Sequence, residues 1–108
     1  MSAGSYAKRG VVWLIDLGYA AKTRPCLVSS IEVEDTDRAL TTVIPHTTSL
    51  RGTRFEVNLQ IRFLQKGAFD VQNIISVPHA KFIRKLGSLT NEQMQHIEDT
   101  VKFWLDLL

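Results

Sequence analysis

The sequence predicts a mainly β domain with α-helical structure at its C-terminal end, in which antiparallel strands curl into a partly open barrel. Short runs of apolar, β-branched and aromatic residues follow one another up to residue 78. The connections between these runs are too short to hold crossover helices, which favours antiparallel over parallel pairing. A helical period appears only after residue 89. At 108 residues, the chain is long enough for one domain with a single modest core.

The predicted strands are each bounded by turn-forming residues. Pro25 opens the second strand, where a missing N–H is tolerated, and Pro78 ends the fifth. Residues 79–85 are predicted to form one helical turn. The five strands cover residues 10–17, 26–33, 40–45, 54–59 and 69–77, with an acidic turn over 34–38 and a loop over 47–53.

The last segment is predicted to be an amphipathic helix. Thr90 is a favourable N-cap, and Gln93 three residues later completes a capping box. Leu89 and Met94 stand at the positions of a hydrophobic staple. We expect one face of this helix to pack against the sheet or a partner, and that face carries Met94, Ile97, Val101, Trp104, Leu105 and Leu108.

The composition, with 44% hydrophobic and 22% charged residues, is that of a soluble globular protein. No apolar run approaches the roughly 20 residues of a membrane span, and the small, polar N-terminus lacks the apolar region of a signal peptide. A single cysteine, Cys26, excludes an internal disulfide and a multi-cysteine zinc site. We therefore predict a cytoplasmic protein without membrane association, with a flexible N-terminal segment over residues 1–8 and one domain over residues 9–108.

The charges are segregated along the chain, although the net charge is only +2. Acidic residues crowd the segment 32–37, whereas basic residues occupy 51–66, with Lys22 and Arg24 upstream. Such segregation can leave one face positive for an anionic ligand. The alternative interpretation is that these are solvated loop charges.

Residue spacing argues against several kinds of chemistry. His46, His79 and His96 have no second histidine or cysteine at ligand spacing, so we predict no metal site. No P-loop or dinucleotide fingerprint is present, and we predict no cofactor. Ser29 and Cys26 lie within a predicted strand rather than on a nucleophile elbow.

Arg24 and Thr47 remain as a pair at the ends of predicted strands. The planar guanidinium matches phosphate oxygens, and a threonine hydroxyl both donates and accepts hydrogen bonds. Together they could hold a phosphodiester, and RNA would supply its own 2′-hydroxyl nucleophile. His46 is adjacent, but alternation along a strand points it away from Thr47. The alternative is that Arg24 is a structural ion-pair partner.

The order and spacing of these motifs resemble the MazF/PemK family of toxin–antitoxin ribonucleases over about residues 8–107. Each motif is short, and their succession carries the resemblance. The matching segments are Gly10-Val11-Val12-Trp13-Leu14-Ile15-Asp16-Leu17, Arg24-Pro25-Cys26-Leu27-Val28-Ser29, Val43-Ile44-Pro45-His46-Thr47-Thr48 with Gly52 and Phe55-Glu56-Val57, and Leu86-Gly87-Ser88-Leu89-Thr90.

The resemblance implies an SH3-like small barrel of antiparallel strands plus a C-terminal helix (CcdB/MazF-like), assembled as a homodimer. It implies a toxin that inhibits translation and growth by metal-independent, sequence-specific cleavage of single-stranded RNA (mRNA). Attack by the 2′-hydroxyl would leave a 2′,3′-cyclic phosphate and a 5′-hydroxyl, and a cognate MazE-like antitoxin would neutralise the protein. The implied catalytic residues are Arg24 and Thr47, and the expected RNA-binding residues are Leu17, Lys22, Thr48, Arg51 and Asn73.

The sequence departs from the family pattern in the loop before Arg24, where Gly18 to Thr23 lacks the usual Gly-Ser-Glu-Gln and additional glycines. Ile75 likewise stands where the family has a basic residue. Two alternatives to a nuclease stay open. One is a CcdB-like toxin that binds a protein target such as DNA gyrase, and the other is a degenerate interaction module.

Overall fold

A computed structural model describes residues 8–18 and 22–107. Its antiparallel strands and single C-terminal helix confirm the predicted mainly β class with α-helical structure. No helix in the described part of the chain is long and apolar enough to cross a membrane. The elements are β1 (Val11–Asp16), β2 (Thr23–Val28), β3 (Leu40–Thr47), β4 (Glu56–Val57), β5 (Ala68–Asp70), β6 (Ile75–Pro78), β7 (Phe82–Ser88) and α1 (Asn91–Trp104), with 3₁₀ turns at Val71–Asn73 and His79–Lys81.

The central strand β3 organises the sheet. Six of the seven strands follow the order β4-β5-β3-β2-β1-β7, and the seventh, β6, pairs with β3 outside this path. All pairings are antiparallel, and β3 pairs with β6 near its start, β2 in its second half and β5 at its end. The order does not close on itself, so the sheet forms the partly open barrel that the short connections predict.

Alternation along the strands gives the sheet two buried faces. One face packs against α1 and is here called the helix-side core, and the other is called the opposite core. Residues one apart in sequence fall on different faces, as Leu27 and Cys26 or Ile44 and Val43 show. The helix-side core contains Val12, Leu27, Ile44, Ile61, Phe69, Val71, Leu89, Met94 and Ile97, and the opposite core contains Ile15, Cys26, Val28, Val43 and Val77.

The capping box at the start of α1 is confirmed. The Thr90 hydroxyl accepts the Gln93 N–H at 3.1 Å, and the Gln93 side-chain oxygen accepts the Thr90 N–H at 2.9 Å. The predicted apolar face of the helix is buried at Met94 and Ile97. Trp104 on the same face is 38% exposed, and its ring contacts the Phe55 ring with centroids 4.9 Å apart. Burial therefore decreases toward the C-terminal end of the helix, and the predicted position Leu108 lies outside the described residues.

Several predicted strands have the wrong bounds. The strand predicted over 54–59 is limited to β4 (Glu56–Val57), and the strand predicted over 40–45 continues to Thr47, a residue predicted to lie in the following loop. The second strand begins at Thr23 and ends at Val28, so Arg24 and Pro25 lie inside it. Pro25 is tolerated there because its segment pairs with β1 but not with β3. The predicted strand over 69–77 is interrupted by the 3₁₀ turn Val71–Asn73, because its two halves pair with opposite ends of β3.

The prediction of a helical turn over 79–85 is wrong beyond Lys81. The 3₁₀ turn His79–Lys81 is followed by β7, which pairs with β1 at the edge of the sheet. Most of the β7 side chains are exposed, and Arg84 and Lys85 interrupt its apolar pattern. An edge strand of this kind lacks the alternation by which buried strands are identified.

Candidate active site

The site forms where β3 leaves β2. Cys26 opposite Pro45 is the outermost pair between these strands at this end, and the next residues of β3, His46 and Thr47, pair with β5 instead. Continuing the register by two residues on each strand places Arg24 across from Thr47. Because side chains two apart share a face, Arg24 and Thr47 lie on the same side of the sheet. The separating strands thus bring the two predicted catalytic residues to one opening.

A cavity of about 660 Å³ occupies this opening. It brings together five of the seven predicted site residues, and Lys22 and Thr48, although described, contribute nothing to its wall. Lys22 is exposed in the connection between β1 and β2, and Thr48 lines a second cavity on the helix side. The predicted residues in the wall are Leu17, Arg24, Thr47, Arg51 and Asn73, joined by Pro45, His46, Ser49, Leu50, Thr53, Glu56, Asp70, Gln72 and Ile75.

Arg24 is a half-buried cation without a carboxylate partner. The described residues contain one ion pair, between Arg9 and Glu98 on the surface. Arg24 is therefore not a structural ion-pair partner within the described residues, and its side chain lines the cavity. Its charge also acts on Cys26. Burial raises the pKa of the Cys26 thiol to about 12, although the positive charge of Arg24 acts to lower it. The buried thiol is protonated at neutral pH and is not a nucleophile.

Thr47 is oriented by its own turn. Its hydroxyl oxygen accepts the backbone N–H of Ser49 at 3.0 Å. A hydroxyl that accepts this bond keeps its proton to donate elsewhere. Thr47 therefore presents a hydrogen-bond donor of fixed position to the cavity.

The loop after Thr48 is held by Glu56, which sequence reasoning did not assign to the site. One carboxylate oxygen of Glu56 accepts the N–H groups of Gly52 at 2.7 Å and Thr53 at 3.1 Å. The other oxygen accepts the N–H of Arg51 at 3.0 Å. These backbone bonds lower the pKa of Glu56, so it is an anion of weak basicity.

The opposite wall of the cavity is organised by Asp70, a second residue that sequence reasoning missed. The Asn73 amide donates a hydrogen bond to the Asp70 carboxylate across the 3₁₀ turn Val71–Asn73. This contact fixes Asn73 at the cavity. Asp and Asn are both frequent turn residues, and their occurrence at positions 70 and 73 could have indicated a turn.

His46 packs away from Thr47, as alternation along β3 predicts. Its ring contacts Phe69 of the helix-side core edge-to-face, with centroids 5.1 Å apart. The side chain is 4% exposed, and its Nε2 is buried without a hydrogen-bond partner in the described structure. Burial lowers the pKa of His46 from its ordinary value of 6.5, so the ring is neutral at pH 7.

We expect this burial to make folding sensitive to mild acid. The pKa of His46 is lower in the folded than in the unfolded state, so below about pH 6.5 the unfolded state binds more protons. The free energy of unfolding should therefore fall as the pH drops from 7 to 5. Urea denaturation at both pH values measures this change. The free energy of unfolding of His46→Gln should depend less on pH than that of the wild type, whereas His96→Gln, which changes an exposed histidine, should keep the wild-type dependence. Equal pH dependence in all three proteins would contradict the expectation.

Fold and cavity together define a small antiparallel-barrel protein whose open site presents an oriented hydroxyl and an arginine that forms no ion pair with any described residue. The family model for the PemK-like, MazF-like toxin of type II toxin–antitoxin systems matches residues 8–105. The chain belongs to this family, as the sequence motifs predict. No curated protein matches the sequence. Among side chains in the described ranges, no group of three His, Cys, Asp or Glu residues is placed to hold a metal ion.

Solved structures give the same result for the fold. An endoribonuclease in complex with its cognate antitoxin from Mycobacterial species is 25% identical, with a TM-score of 0.79 and coverage of 93% of this chain and 95% of that chain. The Mycobacterium tuberculosis toxin MazF-mt6 is 24% identical, with a TM-score of 0.76 and coverage of 89% and 96%. MazF from Deinococcus radiodurans is 20% identical, with a TM-score of 0.76 and coverage of 94% and 98%. The last two similarities establish the fold alone.

Proposed function

We propose that this toxin is a metal-independent endoribonuclease that cleaves single-stranded RNA at the cavity between β2 and β3. The observation that carries the proposal is Arg24, a half-buried guanidinium that has no carboxylate partner in the described structure and lies beside the Thr47 donor. A cation left unpaired in a partly buried site is costly unless a ligand supplies the counter-charge. A phosphodiester supplies that charge, and the fork of guanidinium donors matches its oxygens.

The reaction would use the nucleophile of the substrate. The 2′-hydroxyl attacks the adjacent phosphorus, the bond from phosphorus to the 5′-oxygen breaks, and the products carry a 2′,3′-cyclic phosphate and a 5′-hydroxyl. Negative charge grows on the non-bridging oxygens during the attack, where Arg24 and the Thr47 hydroxyl would stabilise it. The leaving 5′-oxygen takes up a proton, and the 2′-hydroxyl releases one.

The remaining site residues are assigned to RNA binding. Arg51 and Asn73 lie in the cavity wall, held by Glu56 and Asp70 respectively, and would contact phosphate or base edges. Leu17 supplies an apolar surface to the same wall. Lys22 and Thr48 lie outside the cavity and would contact RNA beyond the scissile phosphate.

The biological setting follows from the family. We assign the toxin to the cytoplasm as a homodimer with one catalytic domain over residues 9–108, neutralised by a cognate MazE-like antitoxin. The complex of a mycobacterial endoribonuclease with its cognate antitoxin supports the antitoxin as a partner. Residues 1–7 lie outside the described structure, so the proposed flexible segment over residues 1–8 rests on composition.

The products of cleavage test the proposal directly. Purified toxin incubated with a mixed-sequence RNA in EDTA should yield fragments with 5′-hydroxyl and 2′,3′-cyclic phosphate ends, which end-specific ligation and sequencing identify. Thr47→Val should lower the rate by about a hundredfold, because it removes one donor to the developing charge. Exposed Thr90 is remote from the cavity, and Thr90→Ser, which keeps the helix cap, is the matched control.

Two outcomes would overturn the proposal. One is intact RNA after incubation with a folded dimer. The other is an interaction with a protein target such as DNA gyrase that persists at high salt while RNA binding is absent, because phosphate contacts weaken steeply with salt. That result would favour the CcdB-like alternative.

A further inference from the structure

A second cavity lies behind the site, on the helix side of the sheet. Its volume is about 370 Å³, and it shares Arg24 and His46 with the first cavity. The two cavities are therefore neighbours on the two faces of the same strand ends. The second is lined by Leu14, Thr23, Arg24, Pro25, His46, Thr48, Phe63, Leu64, Gln65, Arg84 and Leu86.

The wall of the second cavity is cationic and contains no carboxylate among its described residues. Arg84 lies on β7 opposite Leu14 of β1, and like Arg24 it forms no ion pair in the described structure. Two unpaired guanidinium groups without a nearby acid favour an anion. Lys85, the next residue on β7, lies opposite Trp13 and does not line the cavity.

Phe63 supplies a flat apolar surface to the same cavity. Its ring lies directly against the backbone of Gly87, since a Cβ at that position would be 2.4 Å from the ring atom Cε1. Glycine at position 87 is thus required for this close approach, and it seats the ring on β7. The side chain remains 38% exposed, which leaves ring surface available for stacking.

His46 adds a polar group that lacks a protein partner. Its side chain is 4% exposed, and its buried Nε2 forms no hydrogen bond with any described residue. Buried polar atoms in folded proteins are nearly always hydrogen-bonded, so this nitrogen needs a partner from outside the described residues, such as a water molecule or a ligand atom that enters the wall. The Thr48 and Gln65 side chains supply further polar groups to the wall.

We infer that the second cavity binds a nucleotide of the RNA chain next to the scissile phosphate, with its phosphate on Arg84 and its base stacked on Phe63. A nucleotide carries both an anionic phosphate, which the arginines of the wall can bind, and a flat base, which can stack on Phe63. The inference rests on the proposed RNA cleavage, which places the scissile phosphate at Arg24. Because Arg24 lines both cavities, the neighbouring nucleotide of the RNA would lie in the second cavity. An RNA strand held by both cavities would pass around the end of β3.

Binding of uncleavable RNA separates this inference from the cleavage reaction. The probes are fluorescein-labelled, mixed-sequence 2′-fluoro RNAs of increasing length up to twelve nucleotides, which lack the 2′-hydroxyl nucleophile. Fluorescence anisotropy of the full-length toxin measures the affinity across a salt series. We compare Arg84→Ala and Phe63→Ala with Lys85→Ala, the adjacent basic residue on the other side of the strand.

We expect Arg84→Ala to weaken binding of the longest RNA about tenfold and to lower the salt slope by about 0.7, the value for one lost single-strand phosphate contact. Phe63→Ala should weaken it about fivefold or more without changing the slope, because stacking carries no charge. Both losses should grow with RNA length, whereas Lys85→Ala should stay within about twofold of the wild type.

Equal effects of Arg84→Ala and Lys85→Ala, or losses independent of RNA length, would overturn the inference. Competition by free uridine 5′-monophosphate as effective as that by the longest RNA would also overturn it, since the cavity would then hold a free nucleotide. A protein that shows the Arg84 dependence but cleaves no RNA retains the nucleotide site and refutes only the proposed nuclease. A protein that cleaves RNA but binds it without dependence on Arg84 refutes the nucleotide site and supports the proposed nuclease.

Discussion

Arg24→Ala is expected to lower the rate of RNA cleavage by about a thousandfold, the largest effect of any single substitution in this toxin. Removal of one preorganised donor from developing negative charge costs on the order of 10²–10³ in rate, and Arg24 offers both donors and a full charge. The guanidinium forms no ion pair in the described structure, so its loss leaves no buried carboxylate unpaired. The fold should therefore survive the substitution.

Cleavage rates on a fixed RNA, together with circular dichroism and urea denaturation, measure both parts of this expectation. Arg24→Lys keeps the charge but loses the planar fork, and it should recover only part of the activity. Arg62→Ala removes an exposed arginine outside both cavities and is the matched control. Arg24→Ala with wild-type cleavage and a wild-type melting curve would show that the catalytic charge lies elsewhere.

Gly67→Ala is expected to lower the free energy of unfolding by about 3 kcal/mol, the upper end of the usual cost of overpacking, because the added Cβ meets backbone that cannot easily move away. A Cβ at this position would lie 2.1 Å from the Thr47 carbonyl oxygen and 2.8 Å from Cε1 of His46. The first of these atoms belongs to the backbone, so β3 and the segment before β5 must separate. Thr47 would move with its backbone, and cleavage should fall about a hundredfold, as expected for misplacement by about 1 Å.

Gly52→Ala distinguishes lack of space from backbone strain. Gly52 has a φ of +73° but nothing within 4 Å of an added Cβ, so alanine should cost only the left-handed conformation, about 1–2 kcal/mol. Urea denaturation of the two variants measures the difference in stability, and cleavage assays measure the difference in activity. Equal losses of stability would refute the steric explanation for Gly67.

The sequence predicts the fold class and five of the residues in the wall of the first cavity, because these depend on local patterns and on the order of short motifs. The apolar runs and the Arg-Pro motif identify Arg24 and Thr47 as residues at the ends of predicted strands, and the family resemblance implies their catalytic roles. That they meet depends on β3 changing partners from β2 to β5, a tertiary event without a local signal. The same change of partner divides the predicted fifth strand at Val71–Asn73.

The second cavity could not be predicted because it depends on an edge strand. Arg84 and Gly87 acquire a role only when β7 pairs with β1, and the exposed pattern of β7 does not indicate a strand. Asp70 was missed for a related reason. Its partner Asn73 lies in the 3₁₀ turn Val71–Asn73, and the sequence predicts one continuous strand over 69–77 without a turn. Long-range pairing, rather than residue chemistry, limits the prediction at these positions.

The attachment of the loop at Arg51, Gly52 and Thr53 has an evolutionary consequence. Glu56 holds these residues by their backbone N–H groups, and at positions 51 and 53 such bonds do not depend on which side chain the residue carries. Mutations at positions 51 and 53 can therefore alter the wall of the cavity while the loop keeps its path. Substrate preference can diverge between relatives at these positions as long as one carboxylate is inherited at position 56.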